Sequence, residues 1–448
     1  MRTDIAINNT YTKLKHNLSS LTADSIWIKH YVNYLLTSII LLAAAIAFFH
    51  ASLYPTANIS NLADSPWTIA QNLVQGKGFT ACNNDYFPFC RTASDLTAMR
   101  GPVPVMLFAG AMLISPSPLS GVTVEIILYL GTLLLIFTIL RQFDDRVALL
   151  GAFLWAISLP VIRQMSDDHG EMSAAFFISL GMLFFQKGIH SQRLRHWALS
   201  GLFFGISSFC LPVFSGVAIG LGVGLLIAQK NNFPGFSLQR FQAGFVFVAA
   251  VFLVITPWVI RNQAALGKPV FGSTLIGYNL FRHNSIVQQP NFQPHYVGPV
   301  EANQEIRNLI QNSKLTGTEN EAQMDTFYSQ SALHIILNHP GNYIELSLYR
   351  FLPLWFDFGI KEAYGLAFKP IDIIMSFQQL GLLVAILIGL LRKRSKTWHY
   401  TLAAFLFCGA YMAVDAQLSY LVGIMPLLVI LAAFSLSEQK SRKIAYAH

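Results

Sequence analysis

Long apolar runs separated by short polar breaks dominate this chain. Runs near 32–53, 120–140, 146–163, 171–187, 197–211, 213–229, 242–260, 371–391, 399–415 and 418–436 approach the ~20 residues that carry a helix across a bilayer's hydrocarbon core. The pattern therefore predicts ten membrane-spanning helices. The apolar piece 102–115 is shorter and carries Pro102 and Pro104, which predicts an interfacial or re-entrant helix instead. Two long segments, 54–119 and 261–370, interrupt the spans. Within the second, 321–338 and 341–356 are amphipathic and suited to lie along a membrane surface.

Composition sharpens the class. Of 448 residues, 54% are hydrophobic and 12% are charged, whereas soluble domains carry about 25% charged residues. An all-α polytopic membrane protein is predicted, with 1–31 and 438–448 as tails and 32–437 as a single transmembrane domain. The first 31 residues are polar, and no small-residue cleavage motif follows the first span, so that span reads as an uncleaved anchor. No internal repeat or low-complexity tract is evident.

Charge then orients the spans. With the N-terminus inside, one set of segments holds Arg2, Lys13, Lys15 and Lys29, then Arg141 and Arg146, then Lys187, Arg193 and Arg195. The set continues with Lys230 and Arg240, with Arg392, Lys393, Arg394 and Lys396, and with Lys440, Arg442 and Lys443. The short opposite loops near 163–170, 212 and 415–417 hold only Arg163. This positive-inside bias places both termini in the cytoplasm and turns 54–119 and 261–370 outward. Counting 102–115 as a full span would put Arg392-Lys393-Arg394 outside. The net charge of +8 thus reflects topology, and the partner it implies is the lipid bilayer, not a nucleic acid.

Cys82 and Cys90 flank seven residues of the first outward segment, which predicts a disulfide in an oxidising compartment. A metal pair would need further Cys or His close by, and the sequence offers none there. Cys210 and Cys408 fall in predicted spans.

The outward acids carry the candidate chemistry. Asp64 stands just past the first span, before Ser65-Pro66. It reads either as a helix N-cap or as a base that takes a proton from an acceptor hydroxyl. Asp167, Asp168 and Glu171 follow the third span on the same face. They either complement the dipole of the next helix or line a polar cavity. The Asp167-Asp168-His169-Gly170-Glu171 run also offers a divalent cation oxygen and nitrogen ligands, with Asp167 and Asp168 as the metal candidates. Glu125, early in the second span, is a cap or a wall of that cavity.

Lys77, Arg100, Arg163 and Arg261 are the outward cations. They suit either a phosphate-linked donor or lipid headgroups. The polar, Gly-bearing stretch 272–280 predicts a substrate-facing loop with Tyr278 and Asn279 as contacts, and it lacks the context of a nucleotide fingerprint.

Several segments, in order over most of 60–360, carry a resemblance. They are Asp64 with Trp67-Thr68-Ile69-Ala70-Gln71-Asn72-Leu73, Gly76-Lys77-Gly78-Phe79, Arg100-Gly101-Pro102-Val103-Pro104 and Asp168-His169-Gly170-Glu171. Thr256-Pro257-Trp258 to Arg261-Asn262, Gly277-Tyr278-Asn279-Leu280, and His339-Pro340 leading to Arg350-Phe351 and Trp355 complete the set. Together they resemble the GT-C membrane glycosyltransferases, nearest the protein O-mannosyltransferases, the aminoarabinose transferase of lipid A and the Rgt-type sugar transferases.

The resemblance implies inverting transfer of a hexosyl or pentosyl group from a polyprenyl-phosphate donor at the periplasmic face of the inner membrane. The acceptor would be a lipid, a glycan or a protein. It implies Asp64 as general base, Arg100 as a donor-phosphate contact, and Asp168 and Glu171 as acids beside them. Three departures stand out. Ser65 follows Asp64 where the mannosyltransferases carry an Asp-Glu pair, Gly101-Pro102 replaces a Pro-Pro pair, and no C-terminal soluble domain is expected after the last span. One base and a group of cations suffice for this chemistry, without a carboxylate nucleophile. A divalent metal is compatible with it but not required. A lipid or sugar transporter or flippase is the competing class, though repeated halves with broken helices are not detectable. A membrane oligosaccharide polymerase or ligase is the other.

Overall fold

The computed structural model describes residues 30–54, 65–90, 95–166, 169–227, 238–391 and 397–437. The first of these form α1 (His30–Leu53), α2 (Pro66–Val74), α3 (Pro102–Ile114), α4 (Pro118–Arg141), α5 (Asp145–Ala156) and α6 (Leu159–Gln164). Next come α7 (Glu171–Ser191), α8 (Leu194–Ser208), α9 (Val213–Ile227), α10 (Leu238–Leu266) and α11 (Leu275–Asn284). The segment that follows holds α12 (Pro299–Gln311), α13 (Glu321–Asn338), α14 (Pro340–Tyr349), α15 (Phe351–Phe356) and α16 (Ile360–Ala363). The chain closes with α17 (Pro370–Leu391), α18 (Trp398–Val414) and α19 (Leu418–Ser437). No strand forms among the described residues; there is one isolated bridge, between Thr80 and Leu96.

Six of these helices, α1, α4, α7, α10, α17 and α19, are long and apolar enough to cross a membrane, so the chain is a multi-pass membrane protein by length and composition. Each predicted run holds a helix, with one correction. The run 146–163 is not one helix: it breaks at Ile157-Ser158 into α5 and α6. Pro160, two residues past the break, has no N–H to carry the ladder through. Open backbone groups are costly in a bilayer, and Gln378 of α17 satisfies them here. Its amide Nε2 donates to Ile157 O at 2.7 Å, and its Oε1 accepts from Leu159 N–H at 2.8 Å.

The helix α19 is buried over 89% of its apolar window, against 17% for α1. An apolar circumference of that kind belongs at the centre of a bundle, and α19 packs against α5, α7, α17 and α18 around the main core. A second core lies outside the bundle, where Trp67, Phe79, Phe87, Tyr278, Phe281 and Tyr328 join α2, α11, α13 and the loop after α2. Cys82 and Cys90 are disulfide-bonded in that loop, and Tyr328 anchors it by donating its hydroxyl to Tyr86 O at 3.1 Å.

The two ends of the bundle differ. At one, Gln186 joins Gln142 to Tyr400 in a buried polar chain, close to Arg141, Lys187 and the other cations expected inside. At the other, the N-termini of α3 and α7, the α8–α9 turn and the second core meet.

Candidate active site

Close packing assembles this second end. A Cβ on Gly101 would fall 1.8 Å from Phe209 O, so only glycine lets the Arg100–Pro104 segment lie against the α8–α9 turn. Gly170, with φ of 100°, starts α7 in the left-handed region, and its Cα hydrogens face Pro104 and Cys210 O. Gly272 packs on Pro212 at the same turn, and Ser273 Oγ donates to Met99 O. Arg100 and Glu171, far apart in sequence, are thereby placed at one junction.

Glu171 opens α7 yet is only 2% exposed. It accepts from Gln164 Nε2 at 3.2 Å. Glu125 and Glu171 both act electrostatically on the Cys210 thiol, so the two carboxylates face one region. Glu171 stands in the first turn of α7, where it complements the helix dipole, and it is also enclosed. The cap reading left open for Asp64 is filled by Ser65, whose Oγ accepts from Thr68 N–H at 3.1 Å at the start of α2. Asp64, Asp167 and Asp168 lie outside the described residues. Among the described residues no three His, Cys, Asp or Glu side chains gather as a metal site.

From Glu171 a polar seam runs toward α11. Tyr411 lies within reach of both Glu171 and Asp415 and stacks on Tyr420 with ring centroids 4.6 Å apart. Tyr420 donates its hydroxyl to Asp415 Oδ2 at 2.9 Å. Asp415 Oδ2 in turn lies 3.2 Å from His283 Nε2. Burial holds His283 below its ordinary range, while Asp415 pulls the other way.

Arg350 closes the seam from behind. Its Nη1 donates to Met412 O and Ala413 O, each at 3.1 Å, and its Nη2 donates to His283 O and to Asn284 Oδ1. These carbonyls are the open ends of α18 and α11, and a cation there complements both dipoles. Burial pulls the Arg350 guanidinium down to about 10, against the pull of Asp415.

Arg282 is the least satisfied cation of the site. Its Nη2 donates to Tyr364 Oη at 3.2 Å, and its buried Nε has no hydrogen-bond partner. Tyr278, Tyr296 and Tyr364 surround it, while the nearby Asp415 meets His283 and Tyr420 through Oδ2 and has no hydrogen-bond partner at Oδ1. A guanidinium with donors to spare beside a polar seam is equipped to take an anion.

The other cations fall in different places. Arg261 is an organiser: its Nη1 donates to Thr97 O at 2.7 Å, its Nη2 donates to Phe79 O, and its guanidinium lies 4.9 Å from the Trp258 ring centroid. Arg163 pairs with Asp357 at 3.3 Å and is 57% exposed. Lys77 is exposed on the turn after α2.

The stretch expected as a loop is helical from 275 to 284, because Asp325 Oδ1 accepts Gly277 N–H at 2.6 Å and fixes α11 on α13. Tyr278 is 2% exposed and packs between Tyr86, with its ring tilted, and Tyr328, edge to face, while Asn279 is half-buried. One turn before Asp325, Glu321 accepts from Ala98 N–H, Thr97 Oγ1 and Thr274 Oγ1, tying the loop after α2 to α13. Burial pushes both carboxyls up to about 7.

Sequence reasoning passed over Arg282, His283 and Asp415. The available signals were the Arg-His pair directly after Gly277–Leu280, and the single acid in the 415–417 turn.

No protein-family model matches this sequence, and no curated protein matches it. Solved structures do. The archaeal oligosaccharyltransferase AglB from Archaeoglobus fulgidus, in complex with an inhibitory peptide and a dolichol-phosphate, matches with a TM-score of 0.52 at 14% identity, covering 93% of this chain and 51% of that one. The apo form of the oligosaccharyltransferase from the same organism gives 0.51 at 15% identity, over 92% of this chain and 52% of that one. ArnT from Cupriavidus metallidurans bound to undecaprenyl phosphate gives 0.42 at 12% identity, over 89% and 77%. This chain spans about half the length of the archaeal structures. At such identities the likeness is one of fold, and the fold is that of the GT-C glycosyltransferases.

Proposed function

We propose that this GT-C-fold chain is an inverting membrane glycosyltransferase that draws on a polyprenyl-phosphate-linked sugar at the outward, periplasmic face of the inner membrane. The observation that carries the reading is the meeting of Arg100, the enclosed Glu171 and the Arg282–His283–Asp415 cluster at one end of the bundle. Donor-phosphate groups and acids are needed together for this chemistry, and neither is expected in a lipid-facing structural position. The dolichol-phosphate held by the archaeal AglB structure is a lipid of the kind this reading assigns as donor carrier.

In the proposed reaction, an acceptor hydroxyl or amine attacks the anomeric carbon. The bond from that carbon to the phosphate oxygen breaks, and the polyprenyl phosphate leaves with the electron pair. Asp64 takes the acceptor proton. Arg100 and Arg282 hold the departing anion through charge-assisted hydrogen bonds, with Lys77 as a further point charge at the entrance. Glu171 and Asp168 set the polarity of the pocket. Tyr278 and Asn279 shape its α11 wall, and Arg261 and Arg163 position their surrounding segments. If a divalent cation takes part, Asp167 and Asp168 are the residues that would hold it, and it would supply positive charge at the leaving phosphate. Ten spans, with both termini cytoplasmic, complete the reading.

The test is transfer from a radiolabelled polyprenyl-phosphate sugar in proteoliposomes that contain a membrane extract of the native host as acceptor source. Asp64→Asn should abolish transfer while the protein still expresses and inserts. A variant that still labels the acceptor overturns the base assignment. A wild-type protein that only moves the labelled lipid between leaflets overturns the transferase reading in favour of a flippase.

A further inference from the structure

A cleft of about 570 Å³ opens between α11, α12 and α13, on a different face of α11 from the one that carries Arg282 and His283 toward the seam. Its volume lies within the roughly 300–1,000 Å³ of small-molecule sites. Four side-chain amides line it: Gln288, Asn308, Asn312 and Gln330. None of the four makes a side-chain hydrogen bond to another described residue, so each presents two N–H donors and a carbonyl acceptor. Phe281 and Phe327 add aromatic surface to the lining.

What the lining lacks is equally selective. No Lys or Arg lines the cleft among the described residues, so it offers a phosphate no fixed positive charge; His334 and Ser331 add further polar groups, and Glu305 is the sole carboxylate. Amides that both donate and accept, sharing a cleft with aromatic side chains, match the hydroxyls and C–H face of a pyranose. We propose that this cleft binds a neutral oligosaccharide, and that this glycan is the acceptor of the transfer reaction. The acceptor role rests on the transferase reading; the binding itself does not. The cleft and the seam share α11, the cleft through Phe281 and the seam through Arg282 and His283.

The full-length protein in nanodiscs is titrated with maltotriose, cellotriose, chitotriose and an Asn-containing tripeptide, read by saturation-transfer NMR and calorimetry. At least one trisaccharide is expected to bind saturably, and the tripeptide is not. Asn308→Ala with Gln330→Ala should weaken that binding about tenfold through the loss of two hydrogen bonds, and Phe327→Ala should weaken it independently, with unchanged thermal unfolding as the control for folding. Asp64→Asn should bind the same trisaccharide normally. Failure of every trisaccharide, indifference of binding to the cleft variants, or preference for the peptide each overturns the proposal. Transfer by a wild type that binds no trisaccharide removes the cleft alone. Normal trisaccharide binding by an Asp64→Asn protein that still transfers removes the Asp64-dependent transferase reading and leaves the cleft standing.

Discussion

His283 Nε2 lies 3.2 Å from Asp415 Oδ2, and the two side chains are 3% and 5% exposed. This contact joins the C-terminal end of α11 to the turn between α18 and α19. Arg350 binds the same two elements through their terminal carbonyls, and Tyr343 adds a bond from its hydroxyl to Ala413 O at 3.1 Å. The position of α11, and with it Arg282, is set by these buried polar contacts together with the apolar packing of Tyr278 and Phe281 on α13. Asp415→Asn keeps the shape and the Tyr420 bond but removes the charge opposite His283 and Arg282. Breaking one side of a buried ionic cluster costs about 3 kcal/mol. A lowered unfolding midpoint in detergent and a loss of transfer are expected together; an unchanged midpoint would show that the pair carries no structural weight.

Arg282 predicts a smaller change in stability. Its Nε is buried without a partner, but its charge also offsets that of the buried Asp415, so the two effects oppose each other. Arg282→Met should therefore shift the unfolding midpoint of the ligand-free protein less than Asp415→Asn does. The same change should weaken undecaprenyl phosphate binding by about tenfold to a hundredfold, the value of one or two charge-assisted hydrogen bonds. Measured together, a midpoint that changes little and an affinity that falls identify a ligand-binding cation. A midpoint that falls with affinity intact identifies a structural one.

Glu321 and Asp325 give the outward segment a pH dependence. Both titrate at about 7 in the folded chain, against roughly 4 when unfolded. Between these values the folded state holds protons that the unfolded state has released, so stability is fully present at low pH and is lost as pH rises through 7. Arg261 and Lys268 face the pair and moderate its repulsion when both are ionised. The unfolding midpoint should fall as pH rises from about 4 to about 7 and level off above that. The double variant Glu321→Gln, Asp325→Asn should flatten that slope, since each amide still accepts a hydrogen bond without carrying charge. A wild-type profile parallel to that of the double variant would reject the assignment.

The sequence announced the bundle more fully than the site, for physical reasons. Apolar length is a local property, and the runs at 32–53, 120–140 and 371–391 became α1, α4 and α17 almost residue for residue. The broken run 146–163 carried its warning in Ser158-Leu159-Pro160, but what makes the break tolerable, the amide of Gln378, lies more than two hundred residues away. The same holds at the site. Arg100 and Glu171 were legible because each stands at the entry of an apolar helix; their meeting depends on Gly101 fitting against Phe209 O. His283 and Asp415 were not legible, because a lone histidine and a lone aspartate acquire meaning only when the chain brings them together. Arg261 had the right chemistry for a phosphate and is engaged instead by the backbone at Thr97 and Phe79.

Gln378 supplies the last prediction. Its amide donates to Ile157 O and accepts from Leu159 N–H, so a single side chain replaces the ladder that Pro160 interrupts between α5 and α6. Gln378→Ala strands two backbone groups at a depth where water is scarce. Each such group costs about 1–3 kcal/mol, and the cost should appear as a lowered unfolding midpoint and faster exchange of the Leu159 amide. Gln378→Glu keeps the acceptor for Leu159 N–H but loses the donor to Ile157 O, and it should fall lower than the alanine variant because it adds a charge in apolar surroundings. If both variants unfold with the wild type, the break between α5 and α6 is solvated, and that stretch lies at the membrane surface and not within the bilayer.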